Sequence, residues 1–240
     1  MEATYSPFNF EKSRERISEI LDSSNSGYED HKSIPSRDKL TFTNGYYVDV
    51  TVLFIDMRGS KALSEKHTRP VLAKIYRVYI SEMVAVLRDN ETVSEIYIEG
   101  DGVWAVFNTT TKPDVNSVFS TAGKIASLVD TINIKLSRKS YSTIEVGIGI
   151  DDGSSLYIKA GYKGSSINEV VWIGRVVGTA ANLCSNGNRT WLDKEIMVSE
   201  VVYNNLNDNN KSLLEWSQSR QCYHGNIVNI AMNEWVQENA

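Results

Sequence analysis

The stretch Thr51-Val-Leu-Phe-Ile-Asp-Met-Arg-Gly-Ser60 decides how this chain is read: an apolar strand ends on a carboxylate, and the backbone then turns through a glycine. Strand alternation puts Val50, Val52, Phe54 and Asp56 on one face, so an acid closes a row otherwise suited to a covered surface. An unpaired carboxylate buried there is costly, and Asp56 therefore calls for a cation, a cluster of donors or open water. Gly59 lets the main chain pass close to a ligand. Ser60 is placed to cap a helix running from Lys61, whose free N–H groups suit phosphate.

A second segment, Ser94-Glu-Ile-Tyr-Ile-Glu-Gly-Asp-Gly-Val-Trp-Ala-Val-Phe107, reads as two strands joined at Gly100-Asp101-Gly102. Asp-Gly between alternating apolar runs is a strong hairpin signal. Ile96 and Ile98 face one way, and Glu95, Tyr97 and Glu99 the other. Asp56 and Asp101 then meet at one sheet edge, where hard oxygen ligands suit shared divalent cations.

Around these segments the chain alternates helices and strands. Residues 1–39 read as an N-terminal helix (Phe10 to Leu21) and a linker (Ser23 to Asp38); residues 40–240 read as one domain. Helices are expected over Arg69 to Arg88, Val115 to Leu136 with Asp114 as its cap, Val176 to Leu183 and Glu200 to Leu206. Strands are expected over Ile144 to Ile150, Val170 to Ile173, Ile196 to Val198 and, in the tail, Tyr223 to Met232. Gly147 and Gly149 leave one face of their strand bare, which is room for a neighbouring backbone or a nucleotide. The hairpin requires antiparallel pairing, so the class is α+β rather than a doubly wound parallel sheet.

Composition narrows the function classes. With 41% hydrophobic and 23% charged residues the chain is ordinary for a soluble protein, and 240 residues favour one domain. A net charge of −5 argues against a nucleic-acid or anionic-membrane surface. Cys184 and Cys222 are the only cysteines and with three scattered histidines make neither a disulfide framework nor a zinc motif. The segment from Met1 to Phe10 has no targeting pattern, and no apolar run approaches ~20 residues, so a cytoplasmic protein without a membrane anchor is expected.

Phe54-Ile-Asp-Met-Arg-Gly-Ser60, followed 45 residues after Asp56 by Asp101, then by Val146-Gly-Ile-Gly-Ile150 and Val171-Trp-Ile-Gly-Arg175, resembles the class III nucleotide cyclases over roughly residues 45 to 200. The resemblance implies a ferredoxin-like βαββαβ core with C-terminal extensions. It implies two divalent cations, Mg²⁺ or Mn²⁺, on Asp56, Asp101 and the main-chain carbonyl of Met57, with Phe54, Arg58, Gly59, Ser60, Tyr97 and Trp172 on the nucleoside triphosphate substrate. The family also carries an Asn for the ribose and a cation for the transition state. Aligned on Trp172-Ile-Gly174, Gly178 takes the Asn position and Asn182 the basic one; shifted, Asn182 is the ribose residue and Asn186 stands where the cation belongs. Either way the cation is missing from that helix, leaving Arg58, Lys61 or Arg175 to replace it, of which Arg175 is carried forward with Asn182 as catalytic. A homodimer is implied, because in this family the metal aspartates of one chain face the base-reading strand and helix of the other.

The same resemblance speaks to the base. Adenylate cyclases of this class place a Lys four residues before the second metal Asp and an Asp before the third motif's Gly. Here those positions are Tyr97 and, depending on register, Val171 or Arg175. Without the carboxylate that accepts from adenine, and with large Tyr97 and Trp172, a pyrimidine triphosphate is expected, UTP ahead of CTP. The chain is similar in this to the pyrimidine cyclases of bacterial anti-phage systems (Pycsar), whose product activates a separately encoded effector.

Overall fold

The sequence folds, in this computed structural model, as α1 (Phe10–Leu21), β1 (Tyr28–Asp30), β2 (Gly45–Met57), α2 (Ser60–Lys66), α3 (Arg69–Arg88), β3 (Val93–Glu99), β4 (Gly102–Phe107), α4 (Lys112–Ser137), β5 (Val146–Gly161), β6 (Asn168–Ile173), α5 (Arg175–Asn186), β7 (Ile196–Val198), α6 (Glu200–Asn205), α7 (Asp208–Lys211), β8 (Glu215–Ser217), β9 (Cys222–Gly225) and α8 (Ile230–Asn239). The structure describes Ala3, residues 5–165 and residues 167–240. Met1, Glu2 and Thr4, part of the N-terminal segment read for targeting signals, lie outside the described residues, as does Ser166. Among the described residues no helix is long and apolar enough to cross a membrane.

The chain forms two compact units, one of residues up to Asp49 with Ser154–Gly174, the other of Val50–Gly153 with Arg175–Ala240. In the larger unit the succession β2-α3-β3-β4-α4-β5 with sheet order β3-β4-β2-β5 is the expected ferredoxin-like α+β core, and β7, β9 and β8 extend the sheet beyond β5. One face of the central strands is apolar. Leu53, Ile55 and Met57, Val103, Ala105 and Phe107, and Val146, Ile148 and Ile150 pack with Ile75, Tyr79 and Met83 of α3 and Val118, Phe119 and Ile125 of α4. Alternation sends Phe54, Asp56, Tyr97, Trp104, Gly147 and Gly149 to the other face.

That second face meets α5. A Cβ on Gly149 would collide with the backbone of Ala180 and Cys184, and one on Gly147 with the carbonyls of Cys184 and Gly187. The bare face read from the sequence is thus filled by a neighbouring helix backbone, not a nucleotide. In the smaller unit β1 pairs in parallel with Gly45 to Tyr47, and β6 pairs antiparallel with Leu156 to Gly161. Helix α1 is held there by its polar side, Glu19 to Lys163 at 3.5 Å and Arg16 over the Tyr162 ring at 4.9 Å, while Phe10, Ile17, Ile20 and Leu21 stay exposed.

Several local expectations are corrected. The linker contains a strand, β1, because Tyr28-Glu-Asp30 finds an edge to pair with. Helix α4 starts three residues earlier than read: Thr111 is its N-cap, and Asp114 sits one turn inside, accepting the Thr111 N–H at 2.8 Å. Pro113 lies in the first turn, where proline is tolerated. Ser60 is the first residue of α2 rather than its cap, which is Gly59 at φ 65°. The tail is not one strand: β9 stops at Gly225, and Asn229 caps α8 by accepting the Met232 N–H at 3.1 Å. The apolar residues Ile227, Val228 and Ile230 suited a strand and hid the capping asparagine.

Gly149→Ala should cost about 2 kcal/mol through overpacking against α5. Gly178→Ala, where a Cβ meets nothing within 4 Å, should be neutral or stabilise by up to ~1 kcal/mol. Urea midpoints of the two variants against the parent chain test the contrast.

Candidate active site

Asp56 reaches the site from the last turn of β2, held in register opposite Gly102 of β4. Its carboxylate is 42% exposed, and a Cβ on Gly102 would come within 3.7 Å of Oδ1, so glycine keeps that oxygen approachable. Asp101 stands in the hairpin turn directly before Gly102. Burial pushes the Asp56 carboxyl up, Arg58 pulls it down, and the Asp101 charge pushes it up again. Two carboxylates thus lie close enough to repel each other, and their open oxygens suit a hard divalent cation. The Met57 side chain is buried in the core, which fixes the main chain between Asp56 and the turn at Gly59.

Arg58 does not reach outward as a substrate ligand would. Its side chain is only 11% exposed; Nη2 donates to the Cys184 carbonyl at 2.7 Å and Nη1 to that of Ser185 at 3.3 Å, in the last turn of α5. The same Nη2 lies 3.5 Å from Asp56 Oδ2. Its backbone N–H donates to the Glu145 carbonyl at 2.7 Å, and its Nε is buried without a partner. The Cys184 thiol donates to the Gly147 carbonyl at 3.1 Å, and burial pushes it up to about 12. Below this layer the Tyr79 hydroxyl is buried without a partner; burial, followed by negative charge at Cys184, Asp56 and Asp101, raises it strongly.

Tyr97 shares the face of Asp56 and stacks on Trp104 with centroids 4.1 Å apart; Trp104 stacks in turn on Phe54 at 4.9 Å, nearly parallel. The Trp104 indole N–H donates to Glu99 at 3.4 Å. Sequence reading named Phe54 and Tyr97 but missed Trp104 between them. The available signal was its place in the hairpin: alternation puts it opposite Val103 and Ala105, and hairpin register puts it across from Tyr97. Asn182 and Arg175 are both exposed on α5. Arg175 begins that helix, about 14 Å along its axis from the turn that Arg58 holds. Burial and charge around Asp151 include Arg175, which lowers that carboxyl against the upward push of burial. Trp172, in the smaller unit, is 6% exposed with its ring 4.4 Å from that of Tyr157; it is packed rather than presented.

The sequence profile described as adenylate and guanylate cyclase catalytic domain matches residues 43–221, and the chain belongs to that family. Within it, the chain is 33% identical over 233 residues to a uridylate cyclase of Treponema porcinum, covering 95% of this chain and 81% of that one. It is 34% identical over 258 aligned positions to a uridylate cyclase of Gulbenkiania mobilis, with both chains covered in full. Among solved structures, a class III adenylyl cyclase-like ATP-binding protein from Pseudomonas aeruginosa superposes with TM-score 0.70 at 20% identity, covering 93% of this chain and 48% of that one. The adenylyl cyclase CyaB from P. aeruginosa gives 0.62 at 21%, covering 72% and 85%. These two likenesses bear on the fold alone.

Beside this end of the sheet, Glu195 is raised to about 7 by burial and then by the charges of Asp130 and Glu145. An unfolded glutamate releases its proton near 4.5, whereas the folded chain retains it to about 7. Stability should therefore fall as pH rises between these values and then level off. Glu195→Gln should flatten that segment of the curve, as read from denaturant midpoints at pH 4.5, 6 and 8.

Proposed function

We propose that this chain is a pyrimidine nucleotide cyclase that converts UTP, in preference to CTP, to the 3′,5′-cyclic monophosphate and pyrophosphate. The observation that carries the reading is the Phe54–Trp104–Tyr97 stack on a sheet face that also bears the Asp56–Asp101 pair, so that each of two copies can offer metal ligands and a base-reading strand to the other. Bulky aromatics occupy the strand where adenylate cyclases of this class place a basic reader, and the two uridylate cyclase relatives support a pyrimidine base.

Asp56, Asp101 and the Met57 carbonyl would hold two divalent cations, Mg²⁺ or Mn²⁺, which when bound supply Lewis acidity toward the ribose 3′-hydroxyl and the triphosphate. The 3′-oxygen then attacks the α-phosphorus, its proton passing to solvent water as the bond to the pyrophosphate leaving group breaks. The protein's share is mostly positioning. Gly59 turns the chain so that α2 opens at Ser60 beside the metal loop, and the Tyr97 hydroxyl donates to a uracil oxygen from a ring that Trp104 immobilises. Phe54 closes the pocket floor. Asn182 holds the ribose, and Arg175 answers the charge of the transition state.

Because Arg175 and Asn182 are displayed on α5 while Arg58 is committed inward, these two serve the site of a second copy. The working unit is a homodimer with two equivalent composite sites. Residues 40–240 form the catalytic domain, acting in the cytoplasm, and the cyclic nucleotide is a messenger read by a separately encoded effector in anti-phage defence.

With Mn²⁺ and ATP, GTP, CTP and UTP in equal concentration, cyclic UMP should dominate the products, with cyclic CMP second; a preference for either purine refutes the pocket argument. Asp56→Ala or Asp101→Ala should lower turnover by about a hundredfold or more. Binding of nucleotides with no cyclic product would instead identify a regulatory domain on the cyclase fold. Mixing Asp56→Ala chains with Asn182→Ala chains should restore activity through one working site per mixed dimer, and a fully active monomer by sedimentation would rule the dimer out.

A further inference from the structure

One guanidinium serves two masters in this site. Arg58 Nη2 donates to the Cys184 carbonyl at 2.7 Å and lies 3.5 Å from Asp56 Oδ2, while Nη1 reaches the Ser185 carbonyl at 3.3 Å. Those carbonyls belong to the last turn of α5, where unpaired C=O groups and the negative end of the helix dipole favour a cation. The Cys184 carbonyl also accepts the Gly187 N–H at 3.1 Å, so it anchors the helix end itself. Gly147 makes the arrangement possible, since any Cβ there would fall on Arg58 Nη2 and the Cys184 carbonyl. Arg58 is nearly buried and its Nε has no partner, so it has little freedom to do anything but divide its donors between carboxylate and helix.

We propose that Arg58 is a positioning residue that couples cation occupancy at Asp56 to the order of the C-terminal turn of α5. The proposal rests on the reading of Asp56 as a cation ligand. The Asp56 charge competes for the guanidinium, whose Nη2 lies 2.7 Å from the Cys184 carbonyl and 3.5 Å from Asp56 Oδ2, and so weakens its hold on the helix end. A divalent cation on Asp56 would cancel that attraction and repel the guanidinium, which would then bind the Cys184 and Ser185 carbonyls more firmly. The coupling is reciprocal: tightening the turn of α5 favours the cation. Since α5 displays Asn182 one turn earlier, the metal loop and the helix of one chain then respond to each other.

The test is amide hydrogen exchange over residues 184–188, measured without nucleotide, beside calorimetric titration with Mn²⁺. In the parent chain Mn²⁺ should slow exchange there by about five- to tenfold, the scale of one charge-assisted hydrogen bond. Asp56→Asn, which removes the carboxylate charge, should show the slow exchange without Mn²⁺ and no further response. Arg58→Gln should exchange fast with or without Mn²⁺, and Arg58→Lys should recover part of the response. Mn²⁺ binding to the parent chain with no change over 184–188, or an Arg58→Gln response equal to the parent's, overturns the coupling alone. No Mn²⁺ binding to the parent chain overturns the coupling and the cation reading together. The Asp56→Asn arm decides the matter even if Arg58 variants fold poorly: fast exchange in that variant is incompatible with the proposal.

Discussion

The architecture of the site depends on how closely α5 lies on β5. Helices ordinarily stand about 10 Å off a sheet on a layer of side chains; here Gly147 and Gly149 remove that layer, and the helix backbone fills the space where Cβ atoms would be. The close approach brings the carbonyls of Cys184 and Ser185 within reach of Arg58, a residue of the loop that follows Asp56. Without it Arg58 would be a long side chain at a strand end, free to solvent. With it, the loop, the strand and the helix end form one hydrogen-bonded assembly.

The opposite face of the same strands explains why this assembly stays in place. Leu53, Ile55 and Met57 are anchored among α3 and α4 side chains, so the strand cannot slip without exposing the whole row. Asp56 is then presented at a fixed height beside Asp101. Its partial burial is unfavourable for the charge, and Arg58 offsets only part of that penalty. A site that leaves a carboxylate pair under-compensated is biased toward cations, which is the chemistry the family requires.

The aromatic row is the second consequence of strand register. Tyr97, Trp104 and Phe54 come from three neighbouring strands, and Trp104 is the direct cross-strand partner of both other residues. Stacking at 4.1 and 4.9 Å restricts all three rings, with Glu99 holding the indole from the side. Rigid apolar side chains fix the shape of a surface more firmly than long polar ones.

The sequence by itself determined the α+β core, the strand ending at Asp56, the hairpin at Asp101 and the family, because each rests on local periodicity, turn chemistry or a short motif. It also located Gly147 and Gly149 and gave a neighbouring backbone as one of two reasons for them. What it did not determine was anything that needs two distant segments at once. That Arg58 turns inward, that Trp104 sits between Phe54 and Tyr97, and that Trp172 is packed on Tyr157 follow from sheet register and helix docking, which bring together residues up to 127 positions apart. Cap positions at Thr111 and Asn229 were misread for the reverse reason, a local signal masked by a second capping residue at Asp114 and by neighbouring apolar residues at Ile227 and Val228. Side-chain direction at the site was decided only by tertiary structure, because a cation such as Arg58 goes to whichever acceptors the fold leaves unpaired, and those belong to another element.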